Sequence, residues 1–565
     1  MRGSVNSRKK RLRDRAKSVA APAFLCAAVV VWALVSFMHR SPFVASWDEV
    51  DFVLALDRFD LLAMQPHFPG YPYFVMGAMA AARFVSNPPQ AYASFNIVLM
   101  ALATIPIWLL ARRRLSPVWS ALAVLLALTA PYLWLQTVRP MSEAAGIAML
   151  WWFLWSWWRA MERRTLGRIL AALFLFGIVM GIRLSFAPFG LALVWLLVLS
   201  GMDWRRQGKR LWPRILLFGC AAAAFQLLWV AGLALSEGGL SGFAKLAAAF
   251  TAGHFSEWGG GVTSAAELSF AERVLRFAGD NVLWTGMFAR STALLATAAA
   301  LLLAAVLAAG AARSPRGSAR AGSRLARAAA WLCRPSLPRA LAALAGAYGA
   351  WALLAQNIDK PRHMTPLIGV MWLLLSMLCA AAPQAAPAHL GAASDASPAQ
   401  PGSAPERRGA RMRRALPAAG ALLAAGMVAL QAAVGGALIA RQASELPAVY
   451  QLEQGLRELA KAKPEERFVV YTWEETRVLQ YLHSPVTNRR IETYGYFLSD
   501  VQADPSATIL LTDHVLRGFE AQVGPLREQV QPVARYRSDG RFEPVYNDIT
   551  LYKWIGEPKG ATPKT

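Results

Sequence analysis

The sequence predicts a polytopic all-α membrane protein of about eleven transmembrane helices, followed by a small carboxy-terminal α/β domain. Three observations predict it. Of 565 residues, 56% are hydrophobic and only 16% charged, against about 25% charged in a soluble chain. The apolar residues fall in runs of roughly 16–25, the length that crosses about 30 Å of hydrocarbon. Lys and Arg, 59 against 34 Asp and Glu for a net charge of +25, gather in short connections beside those runs. So apolar a composition excludes a disordered chain. Four Cys in this length exclude a disulfide scaffold.

Residues 1–19 form a basic tail that includes Arg8, Lys9, Lys10 and Arg11. The apolar run 20–38 is too long for the core of a signal peptide. No small-residue cleavage site follows His39 and Arg40. It reads as an uncleaved first span that leaves the amino terminus in the cytoplasm and 39–90 as the first outer loop. Within that loop, 71–86 is short, contains Arg83 and is bounded by Pro72 and Pro88. If it crossed, Arg112, Arg113 and Arg114 would lie outside, against the positive-inside rule. It is therefore predicted to lie on or dip into the outer interface.

The remaining spans are 91–111, 117–136, 141–158, 166–184, 186–201, 212–236, 291–311, 340–357, 364–382 and 415–440. Every basic cluster then faces the cytoplasm: Arg159 to Arg168, Arg205 to Arg214, Arg313 to Arg339 and Arg407 to Arg414. Nucleic acid is excluded as a partner, because no folded module with a basic, groove-reading face is visible. The membrane domain covers 20–440, with a long outer loop at 237–290. A Pro/Ala/Ser/Gly-rich cytoplasmic linker is predicted at 383–414.

Residues 441–565 are of ordinary polarity and read as an extracytoplasmic domain. Helices are predicted at 446–462, 474–482 and near 514–521, and strands at 467–472, 508–512, 533–536 and 548–554. The segment has no Gly-rich phosphate loop, no Cys and no nucleophile motif, so it reads as a gating or stabilising cap. Cys26, Cys220 and Cys379 fall in spans and Cys333 in a cytoplasmic loop. No pair suits an outer disulfide.

Chemistry-bearing residues concentrate in the outer segments. The first loop contains Trp47-Asp48-Glu49-Val50-Asp51, then His67-Phe68-Pro69-Gly70-Tyr71-Pro72. A carboxylate beside low-dielectric material can serve as a general base. Asp48 and Asp51 share a helix face by their i, i+3 spacing, which admits a divalent metal without requiring one. Glu143 opens a span after Arg139-Pro140. It either caps that helix favourably or faces substrate. Lys360, Arg362 and His363 precede another span on the outer side, where cations run against the positive-inside rule. They suit a phosphate or an anionic headgroup. Arg183, ending a span, is a further phosphate candidate or a snorkelling cation. In the long loop, His254 and Trp258 have Gly-rich flanks and read as part of a lid, with Trp258 able to stack on a sugar.

A first span, an Asp-Glu pair opening a juxtamembrane helix, and a His/Pro segment opening a second one together resemble the GT-C membrane glycosyltransferases. The closest resemblance is to the protein-mannosyltransferase and aminoarabinose-transferase type (family 39-like). The resemblance covers about residues 20–385, in order of elements. It implies transfer of a sugar from a polyprenyl-phosphate donor to a lipid, glycan or protein acceptor on the outer face of the membrane. It places Asp48, with Glu49 beside it, as the catalytic base, and Glu143 where the family often has Asp. His67 falls in a segment that departs from the family's Pro-Pro-Leu pattern. The segment from Gln356 to Pro366 resembles one that opens a late span in the family and faces the lipid phosphate. No cofactor is required, and a divalent metal is compatible. The rival classes are a flippase of lipid-linked sugars, which would show internal repeats and mid-span charges, and a non-catalytic assembly protein.

Overall fold

The structure, a computed structural model, describes residues 2–258, 260–262, 268–312, 335–380 and 404–556, with the backbone alone at 2–18, 258, 308–312 and 404–417. Arg313, Arg316, Arg320, Arg324, Arg327, Arg334, Cys333 and most of the predicted linker 383–414 lie outside the described residues.

Helix α1 (Arg2–Met38) leads into a loop that carries two short helices, α2 (Trp47–Leu54) and α3 (Pro72–Ala82). The bundle continues with α4 (Pro88–Ala111), α5 (Pro117–Leu128), α6 (Pro131–Thr137), α7 (Glu143–Glu162), α8 (Leu166–Ile182), α9 (Leu191–Arg206) and α10 (Leu211–Ser236). Helix starts follow local chemistry. The Asn87 side chain accepts from the Gln90 N–H at 3.1 Å, and Ser116 accepts from Trp119 at 3.4 Å. A proline follows each cap, at a position where its missing N–H costs nothing. Pro131 breaks the next span, and α5 and α6 meet at 60°.

The region 237–290, predicted as a lid loop, is largely helical where it is described. It contains α11 (Leu240–Gly253), α12 (Phe270–Leu275) and two π-helical stretches. Then come α13 (Thr292–Ala312), α14 (Leu337–Ala355), α15 (Thr365–Cys379) and α16 (Ala404–Ser444). The last starts well before the predicted 415, because its first turns are Arg-rich rather than apolar, and an apolar run marks only the buried part of a helix. Among the described residues, seven helices are long and apolar enough to cross a membrane, or up to nine if each of two bent pairs is one span. The expected eleven also include α7 and the 17-residue α8. Aromatic side chains fill the bundle core, with Tyr132, Trp157, Phe186, Phe189, Tyr348 and Trp372 almost fully buried.

The carboxy-terminal domain starts with α17 (Ala448–Ala462) and holds a five-stranded sheet: β1 (Phe468–Thr472), β2 (Thr487–Arg490), β3 (Thr508–Thr512), β4 (Val530–Arg537) and β5 (Asp548–Trp554). The order is β2-β1-β3-β5-β4. Strand β1 is parallel to β2 and β3, while β5 is antiparallel to β3 and β4. Helices α18 (Glu475–Tyr481), α19 (Tyr494–Ala503) and α20 (Asp513–Val523) cover it. Alternate residues of β1 serve opposite faces. Val470 packs towards α17 with Leu452 and Leu456, and Val469 and Tyr471 pack towards Phe497 and Phe519. Sequence reading missed β2 and α19. Strand β2 is the polar edge stretch Thr-Asn-Arg-Arg and shows no apolar alternation. It also read β4 too short, because Pro532 interrupts it at a register shift.

This domain does not stand apart from the bundle. Val44, Val50 and Val53 of the first loop join the core formed by Val449, Leu452, Val478 and Leu479. Beside them, Arg139 from the α6–α7 turn places Nε 2.5 Å from Glu49 Oε1 and Nη2 2.9 Å from Glu543 Oε2, and its Nη1 donates to the Phe542 carbonyl. Burial opposes the Arg139 charge, yet Glu49 and Glu543 outweigh it and hold the guanidinium protonated well above its usual range. Removing one member of such a network leaves the others charged, buried and unpaired, at a cost of about 3–5 kcal/mol. Arg139→Met is therefore expected to lower the thermal unfolding midpoint of the purified protein markedly. An unchanged midpoint would contradict this account of how the domain docks.

Candidate active site

Four segments that end or begin helices converge at one end of the bundle. The first is α2. Asp48 and Glu49 occupy its first turn, where the helix dipole favours negative charge. Phe52 anchors it in an aromatic cluster with Tyr71, Phe74 and Tyr92, and the Tyr92 hydroxyl donates to the Phe52 carbonyl at 2.7 Å. The second is the α6–α7 turn. The Asn96 amide of α4 donates to the carbonyls of Arg139 (3.1 Å) and Met141 (2.9 Å), and its oxygen accepts from the Ala145 N–H at 3.1 Å. One side chain thus sets where Glu143 begins α7. The third is the end of α8 at Arg183. The fourth is the 3-10 turn Pro361–Met364, pinned where the Tyr348 hydroxyl donates to the His363 carbonyl at 2.7 Å.

Their charged side chains meet. Arg362 Nη2 donates to Asp48 Oδ2 in a close ion pair. Glu143 Oε1 lies 3.3 Å from Arg362 Nε and 2.9 Å from Arg183 Nη2. Arg183 Nη1 donates to Ser142 Oγ at 2.7 Å, and Nη2 lies 3.5 Å from His363 Nδ1. The result is an alternating chain: Asp48, Arg362, Glu143, Arg183. Glu143 is fully buried, and neither of its oxygens has an aligned hydrogen-bond donor. Asp48 keeps 27% of its side chain exposed, so the chain is open to solvent at its carboxylate end. Burial pushes the Asp48 carboxyl up. Arg362, His67, Lys360 and Arg183 together overcome that and hold it well below the usual carboxylate range.

The other candidates are arranged around this chain. Lys360 Nζ lies 3.7 Å from Glu474 Oε1 of the carboxy-terminal domain. His67 sits between Asp51 and Tyr71: its Nδ1 is 3.1 Å from Asp51 Oδ2, and the Tyr71 hydroxyl is 3.0 Å from its Nε2. Because a carboxylate only accepts, Nδ1 carries a proton and donates to Asp51. The ring stacks on Phe250 of α11, so that helix covers the first loop.

Asp48 and Asp51, read as sharing a face, have different partners. Asp51 is held by His67 and by Arg477 Nε at 3.0 Å. Its buried position nevertheless raises its pKa, against the pull of His67 and Arg477. Among the described residues, no group of three or more His, Cys, Asp or Glu side chains is placed to hold a metal ion. Glu49 faces away from Asp48 into the Arg139 network, where it also accepts from the Ala45 N–H at 2.6 Å. His254 lies apart from the charge chain, its Nε2 2.9 Å from the Ala355 carbonyl. The Trp258 side chain lies outside the described residues.

Tyr71, Asn96, Arg139, Glu474, Arg477 and Glu543 were not singled out from the sequence. Tyr71 and Arg139 stand inside motifs that were read. The rest carry no local signal, since each works only through a partner distant in the chain.

Residues 66–229 match the family described as dolichyl-phosphate-mannose-protein mannosyltransferase. By sequence, no curated protein matches the chain. In fold the chain is similar to ArnT from Cupriavidus metallidurans in the apo state, with a TM-score of 0.50 at 13% identity over 96% of this chain and 100% of that one. The same protein bound to undecaprenyl phosphate gives 0.49 at 14% identity, over 94% and 97%. The Archaeoglobus fulgidus oligosaccharyltransferase in complex with Zn and sulfate gives 0.48 at 12% identity, over 90% and 72%. The chain is a multi-pass membrane protein that shares the GT-C fold of ArnT, and its segment 66–229 matches the protein-mannosyltransferase family.

Proposed function

We propose that this protein is a membrane glycosyltransferase that moves a sugar from a polyprenyl-phosphate donor to a hydroxyl or amine acceptor, with Asp48 as the base. The observation that carries the reading is the meeting of Asp48 with Arg362, Glu143 and Arg183 in one charge chain with a solvent-open end. The family match over 66–229 and the fold shared with ArnT, a protein also crystallised with undecaprenyl phosphate, support the donor class. On this reading, residues 20–440 are the catalytic membrane domain and 441–565 its cap. The charge-chain end of the bundle faces away from the cytoplasm, because Arg112, Arg113, Arg163, Arg164, Arg205 and Arg206 sit at the opposite helix ends.

In the resting site Arg362 covers Asp48 and makes it a poor base. A donor phosphate competes for the guanidinium, which binds phosphate oxygens in the same fork geometry. As Arg362 turns to the phosphate with Arg183 and Lys360, Asp48 loses its strongest cation and its proton affinity rises. It then takes the acceptor's proton. The acceptor heteroatom forms a bond to the anomeric carbon as the bond from that carbon to the phosphate oxygen breaks on the opposite face, so the configuration inverts. The proton gained by Asp48 cancels the negative charge gained by the departing phosphate, and the pocket's net charge is unchanged through the step.

Asp48→Asn should cut transfer of labelled sugar from undecaprenyl-phosphate-linked donors by at least about 100-fold, the usual scale for losing a general base, with the fold retained. Near-normal turnover would remove Asp48 from the mechanism. The pH profile gives a second test. With its folded pKa held low, Asp48 stays ionised in the free enzyme and titrates only as pH falls through that depressed value. In Arg362→Gln, burial stands less opposed, so the acid limb of kcat/KM should move up towards neutral pH. An acid limb left where the wild type has it would contradict this coupling.

A further inference from the structure

Asp48 lies between two α2 residues, Trp47 and Asp51, that share a helix face by their i, i+4 spacing. One side chain of the carboxy-terminal domain grips both. Arg477 of α18 donates from Nε to Asp51 Oδ1 at 3.0 Å, and its guanidinium lies 5.7 Å from the Trp47 ring centre. Its Nη2 reaches the carbonyls of Ala63 (3.1 Å) and Met64 (3.2 Å), which precede the His67 segment. Asp51 is fully buried, and its second oxygen holds His67. Around this grip, Val50 and Val53 of α2 pack in one core with Val478 and Leu479 of α18. Three residues before Arg477, Glu474 stands 3.7 Å from Lys360, on the segment that carries Arg362. Within residues 474–477, then, the soluble domain holds both the acidic and the cationic halves of the site.

We propose that residues 474–477 form a clamp in which Arg477 is a positioning residue for Asp48. By gripping residues 47 and 51, it sets the rotation and depth of α2, so that residue 48 projects to Arg362. Glu474 holds the opposite half through Lys360. Lysine at 477 would keep the charge but lose the fork that spans a carboxylate, two carbonyls and an aromatic face. The catalytic consequence rests on the role given to Asp48 above, while the structural consequence does not.

The test uses the full-length protein in lipid nanodiscs as wild type, Arg477→Ala, Asp51→Asn, the double variant and Arg477→Lys. Two quantities are read: amide hydrogen exchange of 47–54, and sugar release from undecaprenyl-phosphate-linked sugars. Exchange in 47–54 should rise at least about tenfold in both single variants while β1 keeps its protection, as local opening requires. The kcat should fall at least about tenfold with donor KM within about threefold, and the double variant should be no worse than the worse single, because both remove one shared contact. Arg477→Lys should recover part of the turnover. Unchanged protection of 47–54 in both single variants overturns the clamp, whatever the wild type's activity. Loosened α2 with wild-type kcat overturns the positioning role. If Arg477→Ala does not fold, Asp51→Asn decides both points. A wild type that releases sugar from no lipid-linked donor defeats the glycosyltransferase reading and leaves the exchange measurement to decide the clamp.

Discussion

A charge taken out of water must find a partner, and at the boundary of a membrane that constraint shapes everything around it. Isolated, any of Asp48, Glu143, Arg183 or Arg362 would cost several kcal/mol to desolvate. Strung in alternation, each lies against an opposite charge and the set is neutral. Glu143 is the pivot. It touches two guanidiniums, and neither of its oxygens has an aligned hydrogen bond. The pair Asp48–Arg362 closes the open end. On the proposed function, this is the resting state that a donor phosphate would invade, because phosphate offers Arg362 the same geometry that a carboxylate does.

Holding four segments in register requires more than their charges. The membrane helices supply stiff supports, with Asn96 setting the start of α7 and Tyr348 setting the turn before α15. Helix α2 draws its support from the bundle and the carboxy-terminal domain together. At eight residues it is too short to be stable by itself. It is held on one side by the bundle, through Phe52 among aromatic rings and Glu49 against Arg139, and on the other by the carboxy-terminal domain, through Val50, Val53 and Asp51. A domain with no chemistry-bearing motif of its own thereby becomes part of the site's geometry.

What could be read from the sequence, and what could not, divides along the same physical line. A charge beside a long apolar run stands out, because the apolar run is itself the signal; Asp48, Glu143, Arg183, Lys360 and Arg362 were all visible in this way. The strands of the carboxy-terminal domain were visible where they were apolar and invisible where only the backbone pairs, as in β2. Contacts between distant parts of the chain leave no local trace. Arg477 and Asp51 are 426 residues apart, and Arg139 and Glu543 are 404 apart, and no spacing rule reaches that far. For the same reason Glu49 looked like a twin of Asp48, although its neighbour across the fold is Arg139. The shared face of Asp48 and Asp51 was sound helix geometry, but the partners come from opposite sides, Arg362 for one and Arg477 for the other.

The most direct test of the central claim is a structure of the protein with undecaprenyl phosphate bound. The account predicts phosphate oxygens within hydrogen-bond distance of Arg362, joined by Arg183 or Lys360, with Asp48 released from Arg362 and facing the open side of the pocket. A lipid phosphate bound elsewhere, with the Asp48–Arg362 pair still closed, would contradict it.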